Sequence, residues 1–183
     1  MLTVEQLNEL IESSRTSLFR WEALPCYEVA TDGSDFGRWL AGEPEPNWAR
    51  KQPWLDYLRA EAMTGRRRRR VRLIHDPPTD YELFACEWGY ALNVRAGEEV
   101  LVLDLARTSL PTELVGVEDF WLVDDSRVVL MHYNDDATFR GATPLEAELT
   151  PRYRNAMLAA RSSAEDFTQW WAGAPRRHAK RNS

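Results

Sequence analysis

Apolar residues at Val4, Leu7, Leu10 and Ile11 fall at helical spacing, and Thr3 is placed to cap the helix they predict over 4–14. The aromatic and branched residues from Leu18 to Val29 predict an extended segment interrupted by Pro25. A short helix is expected over 35–41, ended by Gly42, with a proline-rich loop from Glu43 to Pro53. The following helix is expected from Pro53 to Met63, with Pro53 in its first turn, Gly65 at its end and Trp54, Tyr57 and Leu58 on its buried face.

A strand over 69–75 is stopped by Asp76-Pro77-Pro78, and Thr79 or Asp80 can cap a helix over 81–91. The near-continuous apolar run from Glu99 to Leu105 predicts a buried, central strand. Three short apolar segments, 120–123, 127–133 and 138–142, are separated by Asp124-Asp125-Ser126 and Asn134-Asp135-Asp136, residues that favour tight turns. They read as an antiparallel meander. A closing helix is expected from Pro151 to Ala172, with a basic, disordered tail over 174–183. The order predicts a single α+β domain over 1–173, its mixed β-sheet ending in an antiparallel meander and packed by helices.

The length, 183 residues, suits one domain with a substantial core. Eight Trp, six Tyr and six Phe require burial in that core or under a partner. The net charge of −6 argues against general affinity for nucleic acid, and no recognition-helix motif is present, so direct DNA binding is not expected. Cys26 and Cys86 match no metal or redox spacing. No signal peptide and no apolar run of membrane-spanning length is legible, so a cytoplasmic protein off the membrane is expected.

The run Arg66 to Arg70 is the strongest chemical feature. It reads in two ways. Arg66, Arg68 and Arg70 could hold a phosphate or an acidic partner. Alternatively, Arg66 and Arg67 offset a helix dipole while Arg68, Arg70 and Arg72 alternate outward into solvent, the usual fate of a charge run and the preferred reading. The carboxylates Asp119, Asp124, Asp125, Asp135 and Asp136 lack a calcium-loop pattern, and turn chemistry accounts for four of them. His75 and His132 lie on different expected strands, and no thiol–histidine pair is suggested. Glycine-rich phosphate loops and a GxSxG elbow are absent, so no nucleotide enzyme of a standard type, no metal and no cofactor is expected. Among the aromatics, Tyr81, Trp88 and Trp121 are candidates for a pocket or a partner patch beside Arg66 to Arg70 and His132.

Several blocks carry a resemblance: Phe19-Arg20-Trp21-Glu22, Leu24-Pro25-Cys26-Tyr27, Thr79 to Trp88, Ala96-Gly97-Glu98-Glu99, and Asp119-Phe120-Trp121-Leu122 to His132-Tyr133. From Ser14 to Trp170 the chain resembles an uncharacterised family of small actinobacterial proteins often encoded beside helix-turn-helix (XRE-type) regulators. The order of elements also resembles half of a phospholipase D-like domain. That superfamily's His-x-Lys motif is missing, since Asp76-Pro77 follows His75 and Tyr133-Asn134 follows His132. The resemblance implies a non-catalytic regulatory or interaction protein, its partner a helix-turn-helix regulator or another protein, or its ligand a small effector. The alternative is an enzyme acting on a phosphate-bearing or acidic small molecule, held by the Arg run, with His75 or His132 as base.

Overall fold

The computed structural model describes residues 1–28 and 34–174. Strand β1 (Ser17–Glu22) pairs in parallel with β2 (Arg67–Ile74), and β2 in parallel with β3 (Glu99–Asp104). On its other side β1 pairs antiparallel with β4 (Phe120–Val123), which leads into β5 (Arg127–Tyr133) and β6 (Phe139–Pro144). With the two-residue β7 (Glu165–Asp166), the order is β6-β5-β4-β1-β2-β3-β7. The chain is a single α+β domain built on one mixed sheet, and the expected meander forms its antiparallel half. The apolar strand β3 is buried as expected but sits one place from the edge, because β7 is its outer neighbour.

Each face of the sheet is covered. On one, Phe19, Trp21, Val71, Leu73, Leu103, Phe120, Leu122 and Val128 pack under Tyr153, Ala156, Met157 and Ala160 of α6 (Thr150–Ser163). Full burial of each large apolar side chain contributes about 1.5–3 kcal/mol. The opposite face carries Arg20 and Glu22 on β1, Arg68, Arg70 and Arg72 on β2, and Val100 and Val102 on β3, set there by the two-residue strand period. It is covered by α1 (Val4–Glu12), α2 (Asp35–Leu40), α3 (Trp48–Met63), a helical stretch over 80–95 and α7 (Phe167–Ala172).

Local chemistry explains the helix boundaries, and corrects three expectations. Thr3 and Thr79 each close a capping box, with Gln6 and Glu82 respectively. Asn47 accepts from Arg50 N, so α3 begins at Trp48 inside the expected loop, and Pro53 lies within the helix. The buried face of α3 is Leu55, Leu58 and Glu61, with Trp54 and Tyr57 only partly covered. The stretch 80–95 comprises α4 (Asp80–Phe84), a π-helical turn (Ala85–Tyr90) and α5 (Ala91–Arg95), so it outruns the helix expected to end at 91. It ends at Gly97, at φ +109, where a Cβ would lie 2.7 Å from that of Ala62; only glycine lets α3 and this turn approach.

The single closing helix is also broken. Ala164 is extended, Glu165 and Asp166 pair onto β3, and the Asp166 carboxylate accepts from Thr168 N and Gln169 N to start α7 afresh. The expected basic tail lies, from residue 175 on, outside the described residues, as does Val29 at the end of the expected extended segment. Among the described residues no helix is long and apolar enough to cross a membrane.

Candidate functional site

The arginines of β2 alternate to one face as the strand period requires, but that face is not in solvent. Arg72 is completely buried, and Arg68 nearly so. The solvated-ladder expectation therefore fails for a physical reason: each guanidinium has carboxylates delivered from elsewhere in the chain. Glu61 of α3 takes Arg68 Nε at 2.6 Å and Nη2 at 3.0 Å, and also pairs with Arg66. Arg70 donates to Glu22 on the neighbouring strand and, from Nε at 3.0 Å, to Glu98. Arg72 faces the fully buried Glu82 at 3.4 Å, which His75 Nδ1 approaches to 2.6 Å from outside. Arg20 pairs with Asp119 at 2.9 Å and lies 3.5 Å from Glu22.

Tyrosines stitch this ladder together. Tyr27 donates to Asp119 at 2.5 Å, Tyr90 donates to Glu22 at 2.7 Å, and Arg20 donates to the Tyr133 hydroxyl at 2.8 Å. Guanidiniums also lie over rings, Arg72 over Tyr27 at 5.1 Å and Arg70 over Tyr90 at 5.3 Å. Burial pushes the Glu22 carboxyl up, but Arg70, Arg20 and Arg72 overcome it and hold it at about 2. At Asp119 the balance goes the other way: burial outweighs Arg20 and Tyr27, and the carboxyl titrates above its ordinary range. Burial likewise raises the Tyr27 and Tyr90 hydroxyls, which stay protonated as donors.

Above the ladder opens a cleft of about 930 Å³, between α3 and the π turn. Glu22 and Arg70 lie at its floor. Trp54, Tyr57, Tyr81, Phe84 and Trp88 wall it, and Arg50, Lys51 and Asp35 stand among its remaining lining. The Trp54 and Tyr57 rings are stacked, 5.5 Å apart. Ala85, Trp88, Gly89 and Tyr90 all border the cleft. Three consecutive residues of a regular helix fan over about 200°; the wider π turn narrows that fan, a device common at functional sites. A Cβ at Gly89 would meet no atom within 4 Å, so this wall is open to the cleft.

The sequence candidates divide accordingly. Arg70, Tyr81 and Trp88 meet at the cleft, while Arg66 and Arg68 are engaged with Glu61 beside it. Trp121 lies in the sheet under Arg20 and Arg68. His132 sits apart, in a second cleft of about 600 Å³ with Cys26, Glu118, Asp119 and Arg140, its Nε2 2.9 Å from Thr143 Oγ1 and its Nδ1 3.3 Å from Glu118. Burial raises the Cys26 thiol, which opposes a nucleophilic role. Arg20, Glu22, Tyr27 and Glu98 entered the sequence reading only within the blocks that carry the resemblance, and none of them as a site residue. For Arg20 and Glu22 the signal is the alternation of charge with aromatic residues in Phe19-Arg20-Trp21-Glu22, a pattern that places both charges on one face of a strand; Tyr27 and Glu98 carry no such local signal.

No curated protein matches the chain. Residues 5–172, which hold the whole sheet, the ion-pair ladder and both clefts, match a domain of unknown function, DUF6879, and the chain belongs to that family.

Proposed function

We propose that this protein binds an acidic or phosphate-bearing small molecule in the cleft between α3 and the π turn. The observation that carries this reading is the combination in one concavity of stacked aromatic walls with Arg50 and Lys51 in the lining, away from the carboxylate-paired Arg70. Its volume lies within the range of small-molecule sites, roughly 300–1,000 Å³. The reading favours the sensor or enzyme class over a regulator's partner protein. The aromatics a partner patch would need, Tyr81, Trp88 and Trp121, are 9%, 5% and 9% exposed. Neither His75 nor His132 lines this cleft, so a proton-transfer step there would fall to its own carboxylates and tyrosines. If a phospholipase D-like ancestry underlies the sheet, it is non-catalytic here, because no lysine follows either histidine at the second place.

The test is a thermal-shift screen with phosphorylated and carboxylate metabolites on the native protein and on Gly89→Trp, with Gly89→Leu as the smaller plug. A ligand at a hundred times its Kd stabilises the fold by about 2.7 kcal/mol. The native protein is expected to shift with at least one acidic probe and the plugged variants, melting normally, not to shift. Equal shifts in native and plugged proteins, or none with any probe, would overturn the reading.

A further inference from the structure

The floor of the cleft carries unused hydrogen-bonding capacity of two opposite kinds. A guanidinium has five N–H donors. Contacts from Arg70 Nε, Nη1 and Nη2 to Glu98 and Glu22 engage three of them. The Glu22 carboxylate meets Arg70 and Arg20 through Oε1 and takes the Tyr90 hydroxyl on Oε2, leaving lone-pair capacity on Oε2. Arg70 and Glu22, both lining the cleft, therefore keep a donor and an acceptor beyond their mutual pairing. A second carboxylate or a phosphate placed there would be repelled by Glu22 and Glu98. The partner that suits this pair is neutral, planar and carries an N–H beside a C=O along one edge.

The charges suited to an anion lie in another part of the lining. Arg50 and Lys51 come from the first turns of α3, where the helix dipole adds its positive end. Between floor and cations, the half-buried Trp54 and Tyr57 offer the rings on which a planar ligand stacks, with the buried Tyr81 and Trp88 behind the opposite wall. Resting on the small-acidic-ligand reading above, we propose that the cleft takes a nucleoside phosphate of the lactam type, guanine or uracil. Glu22 accepts the ring N–H, Arg70 donates to the adjoining carbonyl, and the phosphate is held by the Arg50 and Lys51 side chains. The phosphate grip is by side chains rather than by a glycine-rich backbone cradle, which is consistent with the absence of such a loop from the sequence.

Calorimetry with GMP, UMP, AMP, guanosine, inorganic phosphate and glycerol 3-phosphate tests it on the full chain. GMP or UMP is expected to bind, and AMP, whose edge presents an amino group beside a bare ring nitrogen, at least about a hundredfold more weakly, since a site built for one pattern leaves its groups unpaired against the other. Lys51→Ala is expected to weaken the nucleotide about tenfold, the loss of one charge-assisted contact, and to leave guanosine unchanged. Gly89→Trp should abolish binding of both. AMP binding as tightly as GMP and UMP overturns the lactam assignment. Glycerol 3-phosphate binding as tightly as the nucleotides, or no binding by any nucleotide while another acidic metabolite still gives a Gly89-dependent shift, overturns the nucleotide assignment and leaves the broader reading standing. No binding by any acidic molecule removes both.

Discussion

Asp124 shows how much one side chain decides. It stands at φ 51 in the turn between β4 and β5, a backbone region that Asp tolerates better than most residues. Its carboxylate accepts from the backbone N–H groups of Arg15 at 3.0 Å, Thr16 at 2.8 Å and Ser17 at 3.2 Å, and from the Ser14 and Thr16 hydroxyls. Burial pushes this carboxyl up, but the Thr16 and Ser17 amides outweigh it and hold it well below the usual range. A group held low in the folded state contributes stability above its unfolded pKa and loses it as pH falls through the folded one. Asp124→Asn keeps the turn and removes the charge, and is expected to cost about 2 kcal/mol near neutral pH. The gap from the native protein should begin to narrow as pH falls below about 4 and go on narrowing to the lowest pH at which the protein stays folded, as urea titrations at each pH would show. A gap independent of pH would mean that shape, not charge, secures the junction. The sequence placed Asp124 correctly in a turn and could not show this second task, because the amides it binds lie more than a hundred residues away. Asp119, read from sequence only as an acidic residue near those turns, is in fact buried between Arg20, Tyr27 and the Ala23 amide.

At the scale of elements, β2 is where pattern and environment part. The alternation of Arg68, Arg70 and Arg72 gave the strand and its face, but a solvated edge and a covered central strand share that pattern. What distinguishes them is the supply of carboxylates, and Glu22, Glu61, Glu82 and Glu98 come from four separate places in the chain. No local window contains that information. The meander, by contrast, was legible because its signal is local: apolar alternation and Asn/Asp turns. The split of the closing helix was missed, although Asp166 three residues before Gln169 and ahead of Trp170-Trp171 is a capping pattern that marks a fresh helix start. The buried pairing on β2 makes a sharp prediction. Arg72→Met should destabilise by about 3–5 kcal/mol, because it leaves Glu82 a buried carboxylate without its guanidinium partner. Adding Glu82→Gln should recover a good part of that loss. Additive single losses in the double-mutant cycle would refute the pairing.

Across the whole molecule, the ladder is a charge-balanced layer between two apolar cores: Arg20, Arg66, Arg68, Arg70 and Arg72 meet Glu22, Glu61, Glu82, Glu98 and Asp119. Such a layer contributes little net stability compared with apolar packing, yet breaking any one pair is costly, so it fixes the geometry of the cleft floor. Its response to solution conditions follows from the burial of its members. Salt screens exposed pairs over a Debye length of about 10 Å at 0.1 M, but screens buried ones far less. Raising salt from about 0.1 to about 1 M should therefore leave the thermal midpoint nearly unmoved. Acid should act differently. Glu22 is held at about 2, and Glu61 is also held low, burial there being overcome by its bonds from Arg68 and Arg66. Both contribute stability above the unfolded carboxylate range, lost as pH drops towards the folded values; Asp119, raised by burial, opposes them with the reverse sign. The net expectation is a midpoint that is flat in salt and falls steeply below about pH 4. A midpoint that fell with salt as it fell with acid would place these pairs in water, and with them the floor on which the cleft's ligand is proposed to rest.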